Sequence, residues 1–340
     1  MTTRHLQITA AVLLSAATAL AQSYTITDLG TLGGESSQAN SIGAWGSVVG
    51  VAETKDEGYH AFLYSGRSMR DLGTFSGSTS TAVAINANGQ IAGFYYDGGY
   101  HAFLWSNGTL TELGNLGADY STAWALSNRG DVAGSSKTAS NREHAFLYTG
   151  GQMFDLGTLG GKESQALGVN SRREVIGYAY NEAGFALAFL WENGKMISLG
   201  TLGGDRSQAN AINEAGQIVG YANTAGNANA HAFLWSGGAM TDLGDLGARY
   251  STALALNSTG TVIVGYARVG MSDHAMVWSG GTMKDLNTLV RNGAGWLLTS
   301  ATGVDDTGAI VGTGSFKGEE HAFLLTPEKS GGAERRRVAH

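Results

Sequence analysis

The chain has 340 residues and a formal net charge of −7, and its hydrophobic content of 43% is sufficient for a folded core. The acidic balance argues against a nucleic-acid partner, and the lack of cysteine excludes disulfides and thiolate metal sites. Fifty-two glycines against a single proline predict many tight turns.

The first residues predict a secretory signal peptide over residues 1–21. Arg4 precedes an apolar run of roughly a dozen residues, which ends at the small-x-small sequence Ala19-Leu20-Ala21. This run is too short to span a bilayer, and no stretch of about twenty apolar residues follows it. We therefore expect a secreted protein, extracellular or periplasmic, with no membrane span after signal cleavage.

A repeat occupies most of the remaining chain. Its marker tripeptide, usually His-Ala-Phe, starts at residues 60, 101, 144, 187, 231, 274 and 321, with successive gaps of 41, 43, 43, 44, 43 and 47 residues. A second tripeptide, usually Asp-Leu-Gly, starts at residues 28, 71, 112, 155, 198, 242 and 285. A nearly fixed period of this length is typical of propellers and solenoids.

Each repeat has the pattern of four short antiparallel strands. In the fifth repeat these are residues 207–213, 217–222, 231–235 and 239–244. A turn of the form Asn-x-x-Gly joins the first two strands, because Asn bonds its own backbone and Gly adopts positive φ. Pairs such as Asn107-Gly108 and Gly237-Gly238 suit a two-residue hairpin between the last two strands. The pattern predicts an all-β chain with one propeller blade per repeat.

The two tripeptide series are offset, and the offset predicts how the ring closes. The first Asp-Leu-Gly precedes any His-Ala-Phe, and the last His-Ala-Phe has no Asp-Leu-Gly after it. We therefore expect a seven-bladed propeller over residues 22–326, in which the strand at 24–29 completes the last blade, and a flexible tail over 327–340. The alternative, an open β-solenoid, would need dedicated caps and leaves the N-terminal strand without a partner.

These motifs resemble the HAF-repeat family of bacterial proteins. The resemblance covers about residues 24–325 and is carried by the His-Ala-Phe tripeptide, Asp-Leu-Gly-Thr-Leu-Gly-Gly at 28–34 and 155–161, and Ile-Asn-x-x-Gly-x-Ile-Val-Gly at 212–220. It implies export and tandem repetition, without an established activity or ligand. The chain departs from the pattern at Leu187 and Ser198, at His-Ala-Met (274–276) and at Asp-Leu-Asn (285–287).

The histidine and the acid of each repeat are predicted to form a structural pair. They lie eleven residues apart, which places both side chains on one face of the hairpin, and the fourth repeat loses both together. The expected pairs are His60 with Asp71, His101 with Glu112, His144 with Asp155, His231 with Asp242, His274 with Asp285, and His321 with Asp28. Six similar copies around a ring cannot converge on one substrate, and one His and one acid per blade do not satisfy zinc. We predict no catalytic residue, no metal and no cofactor. We expect His231→Ala to lower the free energy of unfolding by roughly 1 to 3 kcal/mol, because it leaves a buried acid without its partner.

A binding site is expected where the repeats differ most, in the connections between the second and third strands. We expect these loops to ring one mouth of the central channel. The candidate binding residues, which combine aromatic rings with carboxylates and an amide, are Tyr59, Tyr95, Tyr96, Asp97, Tyr100, Tyr180, Asn181, Glu182 and Glu320. The leading hypothesis is a non-enzymatic binding or scaffold module for an extracellular glycan or protein. The alternative is a propeller hydrolase or lyase that acts on an extracellular polymer with carboxylates at the channel mouth.

Overall fold

The computed structural model describes residues 23–328, and these form a seven-bladed β-propeller of antiparallel blades, as the repeat predicts. The predicted signal peptide and nearly all of the predicted tail lie outside the described residues. Within this range the only helical segments are three short 3-10 turns, Ala44–Gly46, Ala225–Asn227 and Leu286–Thr288. No helix between residues 23 and 328 has the length and apolar character needed to cross a membrane.

The first strand, β1 (Tyr24–Asp28), precedes blade 1, and the strands of blades 1 to 6 are numbered from the one nearest the channel outwards. Blades 1 to 3 are β2 (Gly33–Ile42), β3 (Val48–Thr54), β4 (Tyr59–Ser65), β5 (Ser68–Asp71); β6 (Thr79–Ile85), β7 (Ile91–Tyr96), β8 (Tyr100–Ser106), β9 (Thr109–Glu112); and β10 (Gly117–Leu126), β11 (Val132–Thr138), β12 (Glu143–Thr149), β13 (Gln152–Asp155). Blades 4 to 6 are β14 (Gly160–Val169), β15 (Val175–Asn181), β16 (Ala186–Glu192), β17 (Lys195–Gly200); β18 (Gly203–Ile212), β19 (Ile218–Thr224), β20 (Ala230–Ser236), β21 (Ala239–Asp242); and β22 (Ser251–Leu256), β23 (Val262–Val269), β24 (Ser272–Ser279), β25 (Thr282–Asp285).

Blade 7 is closed by the N-terminal strand. It contains β26 (Val290–Arg291), β27 (Trp296–Val304), β28 (Ile310–Phe316) and β29 (Glu319–Pro327), in the order β26-β1-β29-β28-β27. Strand β1 pairs antiparallel with β29, with Ile26 opposite Leu325, while the two-residue β26 adds a parallel fifth strand. Beyond the predicted boundary at 326, Pro327 still pairs with Tyr24, and the amide of Glu328 donates to the Ser23 carbonyl oxygen.

The core lies between the blades. The third residue of each marker tripeptide is fully buried in every blade, as Phe62, Phe103, Phe146, Phe189, Phe233, Met276 and Phe323. Each apolar cluster joins side chains from two neighbouring blades, for example Ile176 of blade 4 with Phe233 of blade 5. Because each blade buries its faces only against its neighbours, the ring needs every blade in place.

The turns have the conformations that the sequence predicts. Asn107 and Gly108 have φ values of 50° and 84°, and Gly237 and Gly238 have 60° and 86°, as two-residue hairpins require. Strand 2 of each blade also requires a glycine, at the point where it lies opposite the β-bulge of strand 1. In blade 5 this is Gly220, on which a Cβ would collide with the carbonyl oxygen of Gln208.

Candidate functional site

Five of the six predicted histidine–acid pairs are hydrogen-bonded. The Nδ1 atom of the histidine lies between 2.7 and 3.0 Å from the carboxylate oxygens in the pairs His60–Asp71, His144–Asp155, His231–Asp242, His274–Asp285 and His321–Asp28. The acids are only partly covered: the Asp242 side chain is 44% exposed. The sequence analysis expected His231→Ala to leave a buried acid unpaired. That expectation is wrong for this pair, because Asp242 is not buried and solvent screens its interaction with His231.

The sixth pair does not form. In blade 2 the Tyr95 hydroxyl donates to Glu112, while the His101 ring stacks on the Tyr95 ring at 5.2 Å between centroids. Tyr95 stands directly across from His101, where blade 5 has the small residue Ala222 opposite its histidine. The bulk of Tyr95 therefore fills the space between His101 and Glu112 and supplies the acid with another donor.

The acid has a second partner, which explains the fourth repeat. Asp242 Oδ1 accepts the backbone N–H of Gly244 at 2.7 Å and so holds the tight turn that leads into the next blade. In blade 4 the Ser198 hydroxyl oxygen accepts the N–H of Gly200 in the same way, at 3.2 Å. Serine keeps the turn without needing a histidine, so Leu187 and Ser198 can replace the pair together.

A buried serine tie between blades is a feature that the sequence analysis missed. Ser207 of blade 5 accepts the N–H of Ala188 in blade 4 at 2.9 Å and donates to the Gly200 carbonyl oxygen at 2.6 Å. Equivalent serines accept the same bond at positions 37, 80, 121, 164 and 251. The recurrence of serine at one place in six repeats was the available signal.

The closing blade replaces this tie. Between blades 6 and 7 the Asn287 side chain takes over, because its Oδ1 accepts the Leu298 N–H at 2.8 Å and its Nδ2 donates to the Leu298 carbonyl oxygen at 3.0 Å. Asn287 is the departure in Asp-Leu-Asn at 285–287. That departure therefore belongs to the construction of the ring.

The nine candidate binding residues lie where the second strands end and the third strands begin. Tyr59, Tyr96 and Tyr100 are exposed, and so are the carboxylates of Asp97, Glu182 and Glu320. Tyr180 and Asn181 are partly buried, whereas Tyr95 is only 3% exposed and cannot offer a ring face to a ligand. Asn181 and Glu320 also make internal bonds, to the Phe185 N–H and the Gln38 amide.

Tyrosines from different repeats meet at this end of the propeller. We define the aromatic band as Phe94, Tyr96, Tyr100, Tyr120, Trp124, Tyr178, Tyr180, Tyr221, Tyr250 and Tyr266, which lie in blades 2 to 6. Ring centroids are 5.2 Å apart for Tyr96 and Tyr100, and 5.8 Å for Tyr100 and Tyr120 of the next blade. Tyr250 lies 6.3 Å from Tyr221 of the preceding blade and 5.8 Å from Tyr266.

The ring contacts of the band fall into three groups, in blades 2 and 3, in blade 4, and in blades 5 and 6. The charge of the Glu143 carboxylate raises the pKa of both Tyr120 in the first group and Tyr178 in the second. Burial is the larger cause in each case and raises the pKa of Tyr178 to about 12. The phenols therefore stay protonated around neutral pH and can donate as well as accept hydrogen bonds. The available signal was an aromatic residue after the strand-2 glycine, at 94, 178, 221 and 266.

Within the described residues, the one large cavity at a channel mouth is not at the end of the propeller that carries the nine candidate binding residues. A cavity of about 640 Å³ lies at the opposite mouth, where the turns between strands 1 and 2 converge, and none of the nine candidates lines it. Trp45 at its lip is another residue that the sequence analysis missed; the signal was Gly43-Ala44-Trp45-Gly46, which replaces the Asn-x-x-Gly turn in blade 1. A second space of about 460 Å³ lies beside His60 and Asp71. Within residues 23–328 no three His, Asp or Glu side chains group as metal ligands would.

Comparison with known proteins supports the fold. The sequence matches no protein-family model and no curated protein. Among solved structures, oligogalacturonate lyase from Vibrio parahaemolyticus aligns with a TM-score of 0.61 and 9% identity over 88% of this chain and 93% of that chain. The propeller domain of the Trilobed protease from Pyrococcus furiosus, described as having an open velcro topology, aligns at 0.57 and 11% identity over 90% and 97%. TolB from Acinetobacter baumannii aligns at 0.48 and 14% identity over 83% of this chain but only 64% of its own. Structural similarity at sequence identities of 9% to 14% shows a shared fold and nothing about function.

Proposed function

We propose that this protein is an exported, non-enzymatic binding propeller whose aromatic band takes an extracellular glycan. The observation that carries the proposal is the aromatic band, which brings rings from five consecutive blades to one end of the molecule. The predicted signal peptide at residues 1–21 supports export.

The chemistry of the band suits sugars. Aromatic side chains present an apolar face and, in tyrosine, a polar tip, so they contact both the C–H face and the hydroxyls of a sugar ring. Hydrogen-bonding side chains stand among the rings: the Gln165 amide lies between Glu143 and Ser135, at 3.2 Å from an oxygen of each. Lys137 lies 5.3 Å over the Tyr120 ring. Arrays of partly exposed rings across several blades favour an extended ligand over a single small molecule.

The test is a glycan array probed with the secreted protein, followed by calorimetric titration of the best glycan. We expect Tyr180→Ala and Tyr96→Ala each to weaken binding by about 1 kcal/mol or more, through loss of a stacking face, with the melting temperature little changed. Phe154→Ala is the matched control, since Phe154 is an exposed aromatic residue in β13, the outermost strand of its blade.

Three outcomes would contradict the proposal. Binding that survives both tyrosine substitutions would place the site elsewhere. Binding of peptides but not glycans at the aromatic band would change the ligand class. Release of shortened or unsaturated products from a polysaccharide would replace binding with the alternative, a hydrolase or lyase.

A further inference from the structure

The turns between strands 1 and 2 surround the cavity at the mouth opposite the aromatic band, and the turn of blade 1 differs from the other six. In the other blades the first turn residue is Asn86, Ser127, Asn170, Asn213, Asn257 or Asp305, and its side chain accepts N–H groups of its own turn. Several turns also bond to the next blade, as when Asn170 Nδ2 donates to the Asn213 carbonyl oxygen at 3.2 Å. Blade 1 has Gly43 at this place, which carries no side chain.

Trp45 occupies this interrupted turn in an unusual state. It is 100% exposed, and its φ of 64° lies in the left-handed region that bulky residues avoid. The equivalent position in blade 2 is occupied by Asn88, and asparagine adopts the left-handed backbone conformation more readily than tryptophan does. Neither burial nor turn conformation therefore explains a tryptophan at this position. Its indole lines the mouth cavity, where a ligand could use its face.

The floor of the cavity is apolar. Strand 1 of every blade ends in an aliphatic side chain, and together these form a collar: Ile42, Ile85, Leu126, Val169, Ile212, Leu256 and Val304. The cavity volume of about 640 Å³ is within the range of pockets that hold a small molecule or a short chain segment. An apolar group that enters the mouth would meet this collar.

The charged groups of the lining are all acidic. They are Glu214, Asp305 and Asp306, and no Lys, Arg or His belongs to the lining. Asp306 Oδ1 accepts the Ser258 N–H at 2.9 Å, and Asp305 Oδ1 accepts the N–H of Thr307 and of Ala309. Between residues 23 and 328, Oδ2 of neither aspartate has a hydrogen-bond donor. Blade 7, which carries both, packs directly against blade 1, which carries Trp45.

We propose that this mouth binds a protein segment in which a lysine or arginine is flanked by aliphatic residues. The cation would lie between the Trp45 ring and the free oxygens of Asp305 and Asp306, while the aliphatic neighbours contact the collar. Among aromatic side chains the indole of tryptophan binds a cation best, and a carboxylate adds a charge-assisted hydrogen bond to the same cation. This site lies at the opposite end from the aromatic band and does not depend on the glycan proposal.

The experiment uses an array of short peptides in which lysine or arginine alternates with leucine or valine, and a matched set with glutamate in place of the basic residue. We expect the full exported protein to bind the basic set only, and binding to weaken as salt rises. Trp45→Asn restores the residue of blade 2, and Asp306→Asn keeps the acceptor for Ser258, as Asn128 does for Ala87. Each variant should fold normally and lose about fivefold to tenfold in affinity.

Tyr180→Ala at the other end is the matched control and should leave peptide binding unchanged. If no basic peptide binds, the proposal is overturned. The same holds if glutamate peptides bind equally well, or if both Trp45→Asn and Asp306→Asn retain full affinity. Loss of glycan binding in Tyr180→Ala would bear on the proposed function alone.

Discussion

The Ser207 hydroxyl oxygen accepts the backbone N–H of Ala188 in the neighbouring blade at 2.9 Å, and both groups are buried. Ser207→Ala leaves the buried Ala188 N–H without this acceptor, while the Gly200 carbonyl oxygen, which belongs to an exposed residue, can bond to water instead. We expect the free energy of unfolding to fall by about 1 to 3 kcal/mol, as measured by denaturant unfolding. Ser68→Ala, on an exposed hairpin, is the control and should change stability by less than about 0.5 kcal/mol. Equal effects of the two substitutions would contradict a structural tie.

The His231–Asp242 pair should contribute little by itself. Because Asp242 is nearly half exposed, His231→Ala should lower the free energy of unfolding by about 0 to 1 kcal/mol. Asp242→Ala should cost more, about 1 to 2 kcal/mol, because it also removes the acceptor for the Gly244 N–H.

The double variant His231→Leu with Asp242→Ser reproduces the arrangement of blade 4, where Ser198 holds the turn. It should be more stable than Asp242→Ala, and a double-mutant cycle by chemical denaturation measures the coupling. A loss of several kcal/mol in His231→Ala would show that the pair matters more than its exposure allows.

The strand-2 glycines should not tolerate a methyl group. In Gly220→Ala the new Cβ would collide with the Gln208 carbonyl oxygen at the β-bulge, so the strands must separate or shift. We expect a loss of about 3 kcal/mol or more, measured by thermal and urea unfolding. Gly226→Ala is a control for φ alone, since Gly226 has φ of 71° with open space around it. A Gly220→Ala protein as stable as the parent would show that the bulge can relax.

The N-terminal strand should hold the ring closed. Deletion of residues 22–30 removes β1 and exposes the edge of β29, so we expect a lower melting temperature and association into larger species on size-exclusion chromatography. Tyr24→Ala should also destabilise the protein, by about 3 to 5 kcal/mol, because this side chain is buried in the blade 7 core. Tyr24→Phe is the conservative control. A deletion variant that melts with the parent and stays monomeric would refute closure by β1.

Stability should fall at alkaline pH because of the buried phenols. Burial raises the pKa of Tyr178 to about 12, above the ordinary value of about 10 in the unfolded chain. Between these values the unfolded state loses the proton and the folded state keeps it, so the free energy of unfolding decreases as pH rises from 10 to 12. Tyr178→Phe should flatten this slope, measured by urea unfolding at a series of pH values. Tyr59→Phe, at an exposed position, is the control and should not flatten it.

The sequence by itself determined the repeat architecture. Turn chemistry acts over a few residues, so Asn107-Gly108 and the Asn-x-x-Gly turns predict their own conformations, and strand alternation places His231 and Asp242 on one face. The offset of the tripeptides similarly predicts that residues 24–29 join the last blade, because a strand edge needs a partner.

The tertiary structure alone decided what happens between blades and at the two mouths. Tyr250 meets Tyr221 because neighbouring blades pack together, and no local pattern records a contact across a whole repeat. The bulk of Tyr95 diverts Glu112 from His101, which depends on which residue stands across the strand pair. The cavity lies beside Trp45 because seven short turns between strands 1 and 2 converge on the channel axis at that end, whereas the loops that hold the nine candidate binding residues connect strands 2 and 3, farther from the axis.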